Sequence, residues 1–168
     1  MRAALIGGPC VGKSTLCEEL GKRGYEIIPE AARQIIQEQQ PAGILPWTNF
    51  SAFEELVLVR QLHLEDRIMT ENAILDRGIL DAIAYCKVGN AQVPQLLYGH
   101  QLRDRYTHTF LLEQLPYRQD AERKETPEQA TTMHNAIAQA YRDYGYNLIL
   151  IPVMSVKERA DLIEKHTR

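Results

Sequence analysis

Short apolar runs alternate with helically spaced stripes along the whole chain. Ala3 to Ile6 is an unbroken apolar run closed by glycines, and Ser14 to Lys22 then places Leu16 and Leu20 at helical spacing, which predicts strand, loop, helix. Tyr25 to Pro29 reads as a second strand, with Gly24 marking the turn before it. A helix is predicted from about Glu30 to Gln40 with Ile35 and Ile36 on its inner side, followed by a loop from Pro41 to Trp47. Ser51 and Glu54 suit a capping box for a long helix reaching about Met69. Ala73 to Leu75 is a third strand ending at Asp76, and helical spacing returns from Ile79 to Cys86. Pro94 and Gly99 interrupt the pattern, and Thr107 to Leu112 predicts a fourth strand. Glu113 to Glu125 is polar and charged, and Thr126, Pro127 and Gln129 then form a helix start. Asn147 to Ile151 supplies a fifth strand and Ser155 to about Lys165 a closing helix.

Strands that alternate with helices imply an α/β fold with a mostly parallel sheet, because each parallel crossover needs a helix. Ligands in such sheets gather at the carboxyl ends of the strands. A chain of 168 residues with 45% hydrophobic content has room for one domain, and it contains no internal repeat. A formal net charge of -3 gives no global basic field for nucleic acid, so none is expected as a partner. Cys10, Cys17 and Cys86 are scattered and odd in number, without the spacing of a zinc site, which fits a reduced compartment. The apolar start is too short for a signal peptide and no later run reaches membrane-spanning length. A cytoplasmic protein with no membrane partner is the expectation.

Gly7, Gly8, Pro9, Cys10, Val11, Gly12, Lys13 and Ser14 match GxxxxGK[ST], directly between a predicted strand and a predicted helix. That context is what a phosphate cradle requires. Backbone N–H groups must turn inward in conformations that a Cβ obstructs, Lys13 then reaches the β and γ phosphates, and the Ser14 hydroxyl ligates magnesium. The following helix N-terminus adds a favourable dipole. Thr15 is read as support for the first helical turn and Cys10 as a small loop filler. ATP and Mg2+ are the expected cofactors.

Asp76 ends an apolar strand in a carboxylate, the Walker B arrangement for holding magnesium directly or through water. Arg77 would aim its guanidinium at the phosphates or the acceptor. Glu30 stands where the second strand gives way to a helix, so it reaches the same sheet edge and suits a base for an acceptor hydroxyl. Arg33, one turn on, suits an acidic acceptor. A second reading leaves Glu30 at the positive helix N-terminus and Arg33 as surface charge. The segment 113–126 is a candidate lid, in which Arg118 and Arg123 would neutralise the migrating group. Ile151 to Ser155 either walls the nucleotide base or belongs to the core.

Taken in order, the glycine-rich loop, Pro29-Glu30-Ala31-Ala32-Arg33, Asp76-Arg77-Gly78, Pro116-Tyr117-Arg118 and the Ser155 to Arg159 ending resemble P-loop kinase-like "AAA domain" proteins related to ribosylnicotinamide kinase domains. In outline the chain is also similar to deoxynucleoside kinases. That resemblance implies a three-layer P-loop fold with sheet order 2-3-1-4-5, a base at Glu30 and an acid-arginine pair at Asp76 and Arg77. Gly78 departs from it, since those kinases usually carry serine there. The implied activity is ATP-dependent phosphoryl transfer to a hydroxyl of a small metabolite, a nucleoside or cofactor precursor. The alternative is a nucleotide-dependent regulatory ATPase without an acceptor. No Asn-Lys-x-Asp segment reads guanine and no LSGGQ-like signature marks a transport ATPase. The predicted helices Glu30 to Gln40 and Ser51 to Met69, with Arg60 and Gln61, would line the acceptor pocket.

Overall fold

In the computed structural model, which describes residues 1–43, 45, 48–115 and 126–167, five parallel strands form one sheet. They are β1 (Arg2–Ile6), β2 (Glu26–Ile28), β3 (Ala73–Asp76), β4 (His108–Leu112) and β5 (Leu148–Ile151). Their order is β2-β3-β1-β4-β5, as the resemblance implied. Ala4 pairs with Leu75 on one side and Thr109 on the other, so β1 lies at the centre. Its four residues Ala3 to Ile6 have no exposed surface, because helices cover both faces.

The covering helices are α1 (Lys13–Lys22), α2 (Ala31–Gln39), α3 (Phe50–Asp66), α4 (Asp81–Val88), α5 (Pro127–Asp143) and α6 (Val156–Thr167). One face packs Leu58, Leu62, Leu80, Ala84, Ile137 and Tyr141 against Ala4, Ile6 and Leu75. The other packs Leu16, Leu20, Ala160 and Ile163 against Ala3, Leu5 and Phe110. The alternation of β1 between these faces follows from its period of two.

Three expectations are corrected. Ile35 is buried, but Ile36 is 41% exposed and lines the cavity beside α3. The start of α3 is capped by Asn49, whose side chain accepts from the Ala52 N–H, so Ser51 and Glu54 form no box and Glu54 turns inward. That helix stops at Asp66, and Met69 is almost fully exposed. At α5 the expected box is present, with the Thr126 side chain accepting from Gln129 N and the Gln129 side chain from Thr126 N. No described helix is long and apolar enough to cross a membrane.

Candidate nucleotide and acceptor site

The glycine-rich loop lies at the carboxyl end of the central strand. Gly12 has φ +87°, a left-handed conformation that a side chain resists, and it lets α1 begin with no side-chain cap. The N–H groups of that first turn therefore face outward as an anion site. Cys10 also has positive φ, +60°, and is exposed on the loop, as is Thr15 on α1. Lys13 is buried, and its Nζ donates to the Gly7 carbonyl at 3.0 Å and the Gly8 carbonyl at 2.8 Å. Burial and the nearby Arg77 guanidinium lower its pKa to about 8, against the pull of Asp76, Asp81 and Glu30. Phosphate oxygens placed beside it would restore the charge.

Two long-range contacts fix the loop from behind. Arg159 of α6 is buried and donates to Val11 O at 2.6 Å, Pro152 O at 2.9 Å and Glu113 O at 3.4 Å, and burial lowers its pKa. His134 of α5 accepts from Gly8 N through Nδ1 at 3.3 Å. Its pKa is lowered by burial and by Lys13, which keeps the ring neutral and able to accept. Arg159 closes a segment that carries the family resemblance, with no role expected of it, and His134 belongs to no motif. The His134 contact spans 126 positions and no local pattern signals it. Val153 is half exposed and lies outside the core.

Ser14 and Asp76 meet across the α1 and β3 ends. The Ser14 hydroxyl donates to Asp76 Oδ2 at 3.0 Å, while Asp76 Oδ1 is buried without a partner. Burial raises the Asp76 pKa, opposed by Lys13. An orphaned carboxylate oxygen beside a hydroxyl fits a hard cation. Among the described residues no cluster of three or more His, Cys, Asp or Glu could hold a metal by itself. A cation here would complete its shell with phosphate and water oxygens, as Mg2+ commonly does.

Glu30 stands at the β2 to α2 junction and makes no cap bond with its own helix. Its Oε1 accepts from Arg77 Nε at 2.8 Å, and its Oε2 lies 3.5 Å from an Arg33 nitrogen. Burial would raise its pKa, but Arg77 and Lys13 outweigh that and hold it below the ordinary value. Arg33 is mostly exposed and also reaches Ser14 Oγ at 3.4 Å. Arg77 adopts φ +81°, which swings its side chain sideways. There it also donates to Asp81 Oδ2 at 3.3 Å and stacks 5.1 Å over the Tyr85 ring. Its nitrogens thus hold carboxylates at the wall of a cavity.

That cavity, of about 240 Å³, is lined by Glu30 and Ile36 from the α2 side, by Phe50, Phe53, Glu54, Val57 and Gln61 of α3, and by Arg77, Gly78, Asp81 and Tyr85. Its size is near the lower end of small-molecule sites. The expected helices do line it and Gln61 is present, whereas Arg60 turns away to hold Glu38 at 2.8 Å and Gln34 at 3.0 Å. Gly78 is glycine for a packing reason. A Cβ there would sit 2.5 Å from Tyr141 Oη and 2.6 Å from Tyr106 Oη. Glu30 also lines an open groove beside Ser14, Arg33 and Asp76. Arg118 and Arg123, with residues 116–125 of the candidate lid 113–126, lie outside the described residues.

A phosphate cradle at the end of the central strand, with an acidic residue on the neighbouring strand and sheet order 2-3-1-4-5, defines a P-loop protein of α/β architecture. The chain belongs to the family described as "AAA domain", whose model matches residues 2–159. No curated protein matches it in sequence. Its fold is that of P-loop kinases. Deoxyadenosine kinase from M. mycoides with bound dATP superposes with a TM-score of 0.68 at 22% identity, covering 99% of each chain. Thymidylate kinase from Ehrlichia chaffeensis gives 0.64 at 14% identity, covering 100% of this chain and 98% of that one. Shikimate kinase from Aquifex aeolicus gives 0.55 at 16% identity, covering 99% and 96%.

Proposed function

We propose that this protein transfers the γ-phosphoryl group of ATP to a hydroxyl of a small metabolite held in the cavity between α2, α3 and α4. The observation that carries this reading is the position of Glu30, which lines both that cavity and the groove beside Ser14 and Asp76. A carboxylate at such a junction faces donor and acceptor at once. The likeness in fold to kinases of a nucleoside, a nucleotide and shikimate supports phosphoryl transfer over other uses of a phosphate cradle.

The roles follow from the chemistry of each group. Inward amides of the loop and Lys13 hold the β and γ phosphates. Ser14 and the unpartnered Asp76 Oδ1 are the residues suited to magnesium, which when bound neutralises charge on the phosphate oxygens. Glu30 is ionised at neutral pH, held by Arg77, and so accepts the proton of the acceptor hydroxyl. That oxygen bonds to the γ phosphorus as the bond to the ADP oxygen breaks, and the proton remains on Glu30. Arg77 is a positioning residue in this scheme, since it orients the base.

The test is incubation with magnesium ATP and pooled nucleosides, nucleotides and vitamin-like alcohols, with mass detection of a product heavier by one phosphoryl group. The expected outcome is one such product, lost in Lys13→Ala and reduced by about 10²-fold or more in Glu30→Gln. ATP turnover that no acceptor stimulates, and that Glu30→Gln leaves intact, would count against transfer and for hydrolysis.

A further inference from the structure

Three carboxyl groups line the acceptor cavity, Glu30, Glu54 and Asp81, and two of them are already engaged. Glu30 takes Arg77 Nε, and Asp81 takes Arg77 Nη1 together with the Tyr141 hydroxyl at 2.9 Å. Glu54 is different. It is 4% exposed, and it makes no hydrogen bond or ion pair with any described residue. Its carboxyl oxygens are not sealed off, and the cavity that Glu54 lines is where a partner can reach them.

The surroundings say what would satisfy it. Phe50, Phe53 and Tyr85 give the cavity aromatic walls, which suit a planar group. Among the lining residues Arg77 is the sole Lys or Arg against three carboxyls, with its Nε on Glu30, its Nη1 on Asp81 and its guanidinium over the Tyr85 ring. A phosphate or carboxylate on the acceptor would lie against three carboxyls and one guanidinium. An N–H donor would meet a waiting oxygen.

Building on the phosphoryl-transfer reading, we infer that Glu54 is the specificity residue of the acceptor site. It accepts a hydrogen bond from an amino or amide N–H on a planar, uncharged or cationic group of the acceptor, and with Glu30 and Asp81 it excludes anionic acceptors. Burial, opposed by Arg77 and reinforced by Asp81, raises the Glu54 pKa to about 7.

The test uses the full chain and a matched panel read by calorimetry and by product mass. The panel holds adenosine, cytidine and a pyridinium carboxamide riboside, their N,N-dimethylated forms, and AMP, CMP and shikimate as anions. The expected result is saturable binding of at least one N–H-bearing neutral or cationic member, at least tenfold weaker for its dimethylated form, and none for the anions. Glu54→Leu should weaken that member by tenfold or more while magnesium ATP still binds, which reports an intact fold. Glu54→Gln should narrow the discrimination against anions. Equal binding of an anion and its neutral counterpart by the unmodified protein would overturn the inference, as would no loss in Glu54→Leu or no saturable binding by any neutral or cationic member. Glu54-dependent binding without any phosphorylated product would sink phosphoryl transfer and leave this inference standing. Transfer to an anion would do the reverse.

Discussion

Glu54 shows how much one side chain depends on where the helix turns it. As a free side chain it would lose its proton near 4.5, whereas in the folded protein burial moves that to about 7. Between those values the unfolded chain binds fewer protons than the folded one, so stability falls as pH rises through the window. The contribution is complete below 4.5 and lost above 7. Glu54→Gln lacks this penalty. Its stability relative to the unmodified protein should therefore climb from pH 4.5 to pH 7.5, by on the order of 3 kcal/mol at ~1.36 kcal/mol per pKa unit. Arg77, Asp81 and Tyr85 face the same cavity and are unchanged in the comparison. Denaturant melts of both proteins across that range measure it, and a flat difference would remove the buried-carboxyl account. The sequence displayed Glu54 at a spacing that suited a helix cap. In the fold Asn49 is the cap, and Glu54 falls on the buried face of α3 with Phe53, Leu58 and Gln61.

At the scale of elements, the glycine-rich loop is held as much by its neighbours as by its own conformation. Local sequence carries the turn, through Gly12 at positive φ and the uncapped start of α1. Remote helices carry its position. Arg159 joins the carbonyls of Val11, Pro152 and Glu113, so α6 and the chain after β5 move with the loop. Arg159→Ala should weaken ATP binding by about tenfold and cost ~1–3 kcal/mol of stability, because one buried and two part-buried carbonyls lose a charged donor. Arg159→Lys should recover little of either, since an ammonium lacks the planar fork that spans separate acceptors. Calorimetry with magnesium ATP and thermal melts check both variants, and unchanged ATP affinity in Arg159→Ala would show that the loop holds its shape alone. The Ser155 to Arg159 ending was visible as part of a family resemblance. Its contact with a loop nearly 150 positions away was not, because the sheet order decides which termini meet.

Across the whole molecule, a buried polar column runs from the cavity along the face of the sheet that α3, α4 and α5 cover. Gln61 donates to Glu65 at 3.0 Å, Glu65 accepts from Tyr106 at 2.8 Å and from Arg105 at 2.6 Å, and Tyr106 accepts from Ile79 N at 2.7 Å. Tyr106 and Tyr141 converge on Gly78, where α4 leaves the carboxyl end of β3. A side chain at 78 has no space that does not displace a tyrosine hydroxyl and its partner. Gly78→Ser should therefore lower stability by ~1–3 kcal/mol and disturb the acceptor cavity more than the ATP site. Thermal melts and paired affinities for ATP and acceptor test this, and a neutral effect would mean that the tyrosines shift freely.

Elements whose signal is local were fixed by the order of residues alone. The five strands, the Thr126 box and the phosphate loop follow from apolar runs, capping chemistry and glycine placement within a few positions. Neighbouring positions sense one another through the backbone, so such patterns need no fold to be read. The pairing of Ser14 with Asp76, of Glu30 with Arg77, and of His134 with Gly8 joins residues 62, 47 and 126 positions apart. Those distances close only when parallel strands stack in their particular order. The cavity beside Glu30, its excess of carboxyls and the open side of Glu54 are decided there, where three helices pack and Glu54 is left without a hydrogen-bond partner among the described residues.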